Sequence, residues 1–82
     1  MAAIKVNGET IRPADLCIGD CDHECLIEYW AMHEIEGLCE DDAIEERLLS
    51  LVYTFGGAPE CTSITFSAFL DGEQRTITIK KI

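Results

Sequence analysis

Residues 62–81, TSITFSAFLDGEQRTITIKK, read as two strands and a turn. Thr62–Leu70 and Glu73–Lys81 flank Asp71-Gly72, a pair suited to the two-residue type I′ turn. That turn sets Phe66 opposite Ile77 and Ile64 opposite Ile79. Ser63, Thr65 and Ser67 then share the other face with Thr76, Thr78 and Lys80. Turn chemistry and hydrophobic alternation agree, so the segment is a hairpin whose apolar face needs a cover. Phe69 falls on the polar face and is expected to be an exposed contact.

The cover is read from the residues before it. Asp42 and Glu45 stand at capping-box spacing and start a helix that ends near Phe55, ahead of Gly56-Gly57. Ile44, Leu48, Leu51, Val52 and Phe55 recur at helical spacing as its core stripe, with Glu46, Ser50 and Tyr53 on the far side. An earlier helix, capped by Asp20 or Asp22, runs to about Glu36, and Gly37 supplies the left-handed residue past its end. This helix is apolar on more than one side. Leu26, Tyr29, Trp30 and His33 form one stripe; Ile27, Ala31, Ile35 and Leu38 form another. Such a helix is buried on two sides or carries an interface, for example between copies of the chain.

The beginning of the chain repeats the hairpin pattern. Ile4–Val6 and Glu9–Ile11 flank Asn7-Gly8, which places Val6 opposite Glu9, Lys5 opposite Thr10 and Ile4 opposite Ile11. Pro13 ends the second strand because it has no N–H for the ladder. Pro13–Gly19 reads as a loop anchored by Leu16 and Ile18. The order ββ-αα-ββ predicts one α+β domain over residues 1–82. Its four-stranded antiparallel sheet is built of two hairpins, with two helices packed on one face. The order of the four strands is not decided by these patterns.

Charge is distributed very unevenly. Asp20–Glu46 holds eleven carboxylates and no Lys or Arg; the other 55 residues hold five acids and all six bases. The net charge of −10 argues against direct binding of nucleic acid or an anionic membrane, and it favours a basic protein partner. No window of the sequence reaches the roughly 20 apolar residues of a membrane span. Met1–Val6 lacks the apolar core of a signal peptide, and five cysteines, an odd count, fit a reducing cytoplasm. If Asp20–Glu36 is helical, its six carboxylates lie about one per 4 Å. A DNA strand presents a phosphate about every 3.4 Å.

No catalytic constellation stands out, and the chain is read as a non-enzyme with no cofactor. Cys17, Cys21, His23 and Cys25 are the candidate zinc ligands. However, a C-x₂-C knuckle is missing, and on a helix His23 points away from Cys21 and Cys25. Free cysteines, buried or partly buried, some of them acting as small hydrophobes, are the preferred reading. His33, beside Leu26 and Trp30, reads as a hydrogen-bonded core histidine.

In length, charge and the Glu40-Asp41-Asp42 and Glu45-Glu46 clusters, the chain resembles phage-encoded inhibitors, notably anti-CRISPR proteins that occupy nucleic-acid-binding surfaces. The resemblance implies an acidic inhibitor that mimics nucleic acid and docks on a basic nucleic-acid-binding protein. Glu28, Glu34, Glu36, Glu40, Asp41, Asp42, Glu45 and Glu46 would face the partner, with Tyr29 or Trp30 as anchor. The alternatives are a small assembly module of a phage or bacterial particle, acting through an oligomer interface on the first helix, and a zinc- or thiol-dependent accessory domain.

Overall fold

Both hairpins form in the expected register. In a computed structural model, which describes residues 2–82, β1 (Ile4–Val6) pairs with β2 (Glu9–Ile11), and β3 (Ser63–Leu70) pairs with β4 (Glu73–Lys81). Asn7, Gly8, Asp71 and Gly72 all take positive φ, from 50° to 86°, as type I′ turns require. The strand order is β2-β1-β4-β3, so β1 joins the hairpins by pairing with β4, Val6 against Ile79. Asn7 extends that junction beyond the end of β1. Its Nδ2–H donates to the Thr76 carbonyl (3.2 Å), and its Oδ1 accepts from the Thr78 N–H (2.8 Å). A turn residue thereby also fastens the two hairpins together.

One face of the sheet lies under two helices, α1 (His23–Glu34) and α2 (Asp42–Gly57). Ile4, Phe66, Ala68, Leu70, Ile77 and Ile79 form the core with Leu26, Ile27, Trp30 and Ala31 of α1, Ile35 just after it, and Leu48, Val52 and Phe55 of α2. Both apolar stripes of α1 are used inside the molecule. Trp30 lies against Val6 and Ile77, while Ile27 meets Gly56 of α2. Tyr29 and His33 fall outside the stripe assigned to them and are exposed. The apolar surplus that made α1 a candidate interface between copies is thus absorbed by the sheet and α2.

Three further expectations are corrected. Pro13–Leu16 forms a short 3-10 helix rather than a plain loop, held by the Arg12 N–H donating to Asp15 Oδ2 (2.8 Å). The cap of α2 is Asp41, whose Oδ1 accepts from the N–H groups of Ala43 (2.9 Å) and Ile44 (3.3 Å). Glu45 does not complete a capping box; its Oε1 accepts from the Gly37 N–H (2.6 Å) and ties the interhelical loop to α2. Finally, α2 continues through Gly56-Gly57. A Cβ on Gly56 would come within 3.4 Å of Ile27 Cγ2, and one on Gly57 within 2.8 Å of Glu24 Oε2, so these glycines permit close approach of α1. Lys81 stops the helix from across the molecule. Its Nζ donates to the Phe55 and Ala58 carbonyls, both at 2.7 Å, and lies 4.5 Å from the Phe55 ring centre, placing a cation at the negative helix end.

The core stripe of α2 is also rotated from the expected one. Leu48, Val52, Phe55 and Gly56 are buried and Tyr53 packs against the core, but Ile44 and Leu51 are exposed. Among the described residues no helix is long and apolar enough to cross a membrane.

Candidate partner-binding surface

The eleven carboxylates of residues 20–46 lie on the helical layer and the segments leading into it, and all but the half-buried Glu45 are exposed. Three of them serve the backbone. Asp22 Oδ1 accepts from the Cys25 N–H (2.9 Å) as the cap of α1, Asp41 caps α2, and Glu45 holds Gly37. Negative groups at helix N-termini are favourable by the dipole as well as by the hydrogen bond. Among the described residues none of the eleven forms an ion pair. Among the described residues the one ion pair is Arg75 to Glu73, at 3.5 Å, on an exposed strand end.

The expected partner-facing set therefore divides. Glu28 and Glu36 flank the Tyr53 phenol at the seam between the helices. Burial first, and then these two carboxylates, push the Tyr53 hydroxyl above its usual range. Asp41 and Glu45 stand near Cys39, whose thiol is also raised, mainly by burial. Glu40 and Asp42 flank Asp41 at the entry to α2, and Glu46 follows one turn on; no hydrogen bond or ion pair among the described residues engages these three carboxylates. Glu34 lies on another flank of α1, near Glu9, Trp30 and Arg75. The helix itself covers 12 residues, so the acids form a layer across two helices and their loop, and not the single ladder read along Asp20–Glu36.

The two aromatic candidates also separate. Trp30 is 3% exposed and belongs to the core, while Tyr29, at 38%, is available on the solvent side of α1. A buried Trp30 cannot anchor a partner without unfolding its surroundings. Nothing in the sequence distinguished them, since adjacent positions on a helix differ by only about 100°.

The cysteine–histidine cluster does not converge. Among the described residues no group of three His, Cys, Asp or Glu side chains is arranged to hold a metal ion. His23 Nε2 donates to the Ile82 main-chain oxygen (2.9 Å), and Cys17 is exposed at the end of the 3-10 helix. Cys21 stands beside Cys25, and burial, Cys25, Asp22 and Asp20 push its thiol up to about 11. A thiol so placed stays protonated at neutral pH, which opposes both nucleophilic attack and metal ligation. All five cysteines are free; Cys21, Cys25 and Cys39 are partly buried, Cys21 and Cys39 packing against the core, while Cys17 and Cys61 are exposed. His33 is exposed rather than in the core; its Nδ1–H donates to the Tyr29 carbonyl (2.8 Å).

The arrangement offers an anionic, largely unpaired surface of exposed carboxylates beside one exposed aromatic ring. Comparisons of the chain with protein-family models, curated proteins and solved structures find no match, so its function is argued from this surface alone.

Proposed function

We propose that this protein is an acidic binding protein that inhibits a basic nucleic-acid-binding partner by occupying its nucleic-acid site. This is the mode of action that anti-CRISPR-like phage inhibitors use. One observation carries the reading: Glu28, Glu36, Glu40, Asp42 and Glu46 are exposed on the helical layer and, among the described residues, no cation pairs with any of them. Like-charge crowding of this kind opposes folding, and it is relieved when lysines and arginines of a partner arrive. Free cysteines fit a cytoplasmic setting for this encounter. No catalytic step is assigned to the protein; inhibition follows from occupancy.

The test is displacement. Basic proteins retained by the immobilised chain at low salt are loaded with a labelled oligonucleotide, and the free chain is then added. Release of the oligonucleotide, weakened roughly tenfold or more by the pair Glu40→Lys and Asp42→Lys, is the expected result. The proposal fails if the oligonucleotide stays bound, or if the double reversal leaves affinity unchanged at low salt. A second reading, a small assembly module, is favoured by a different feature, the uncovered edge of β3.

A further inference from the structure

β3 is the outermost strand of the sheet and bonds only to β4. Across the two-residue turn Leu70 pairs with Glu73, and Ala68, Phe66 and Ile64 follow in the same phase. The Lys81 N–H donating to the Thr62 carbonyl (2.9 Å) marks the far end of that phase. The main-chain groups of Ser63, Thr65, Ser67 and Phe69 therefore point away from β4, and among the described residues no hydrogen bond takes them up.

Sheets ordinarily protect such an edge with charge, proline, a bulge or a covering element. The opposite edge, β2, is three residues long, carries Glu9, and runs into Arg12-Pro13. β3 is eight residues long; residues 61–70 contain no Asp, Glu, Lys, Arg or Pro, and the register with β4 is unbroken. Apolar side chains are exposed on this strand and on α2. Ile44 and Leu51, seven residues apart on the flank of α2 turned away from α1, are 53% and 47% exposed, and Phe69 is 51% exposed. Ile44, Phe69 and Cys39 share a shallow depression of about 190 Å³ with Glu40 and Asp41.

We infer that two copies of this chain associate by antiparallel pairing of their β3 strands, forming one eight-stranded sheet about a two-fold axis. The occupant follows from charge and pattern. At −10 each, two copies repel across their helical layers, and β3 is a strand with no charge of its own, with Glu40 and Asp41 near its Phe69 end. An added strand must place apolar residues beneath the helices and hydroxyls on the open face, and β3 itself has that alternation. With the axis at Phe66, Thr65 meets Ser67 of the second copy and Ser63 meets its Phe69. All four outward residues then gain partners, about eight new main-chain bonds in total. A strand edge alone falls short of the roughly 800 Å² per partner of a lasting interface; Ile44 and Leu51 enlarge the covered area. The inference does not rest on the proposed inhibition, although Glu40 and Asp41, which line the depression, border the paired edge.

Sedimentation of the full chain over a dilution series tests this. A particle of two chains that dissociates on dilution is expected. Thr65→Pro removes an outward N–H and no main-chain bond to β4, losing only the exposed hydroxyl contact with Thr78, so it should keep wild-type circular dichroism and weaken association roughly tenfold or more. Leu51→Glu, on an exposed helical position, should weaken association in the same way if Thr65→Pro disturbs folding. A monomer at every concentration overturns the inference and leaves the edge to an extended segment of another protein. A dimer indifferent to Leu51→Glu and to a folded Thr65→Pro overturns it too.

Discussion

The helical layer and the open face of the sheet are chemical opposites. Above the core, residues 20–46 present carboxylates with no cation among them. Below it, the strands turn Ser63, Thr65, Ser67, Thr76 and Thr78 outward with Lys5 and Lys80 and no carboxylate. Hydroxyls there satisfy one another, Thr65 with Thr78 at 2.9 Å and Ser67 with Thr76 at 3.1 Å. The net charge of −10 is therefore largely a property of the helical side. Each side also tolerates like charges as neighbours: Glu24 and Glu28 one helical turn apart, Lys5 and Lys80 directly opposite across strands.

Four substitutions would break or sharpen this contrast. The largest effect is expected where the layers meet. Trp30→Ala should cost about 3–5 kcal/mol in urea unfolding, because it empties the contact between α1 and the sheet. A loss of only a few tenths would mean that Trp30 is not held between the layers. Lys81→Met should lower stability by about 2 kcal/mol, since it removes the cation that joins β4 to the end of α2. An unchanged thermal midpoint would mean that water serves those carbonyls equally well. The smallest effects come from charge reversal, one on each face. Lys80→Glu should stabilise by about 0.2–1 kcal/mol, as it turns a cross-strand repulsion into an attraction. Glu28→Lys should stabilise by about 0.3–0.5 kcal/mol through an i, i+4 pair with Glu24. Both gains should shrink as salt is raised, and a gain on one face alone would show that the two sides are not equivalent in their like-charge strain.

The hairpins were legible residue by residue because a two-residue turn fixes register, and register fixes faces at period two. Asn7-Gly8 and Asp71-Gly72 each determine several pairings beyond themselves. The helices were legible as helices but not in their facing. Ile44 and Leu51 satisfy the periodicity of a core stripe, yet α2 carries them on the flank away from α1, where nothing covers them. Gly56-Gly57 reads as a stop signal but serves the approach of α1. In the candidate surface, the acidic composition was plain, whereas the division between carboxylates that cap helices and those left free needed coordinates.

By itself, then, the sequence determined the element order, both turn types, the strand faces and the segregation of charge, since each depends on residues close together along the chain. Tertiary structure decided the strand order, the burial of Trp30 beside an exposed Tyr29, the anchoring of α2 by Lys81 and the open edge of β3. Those depend on which distant segment occupies a given side of an element, and that is set by the packing of the whole core.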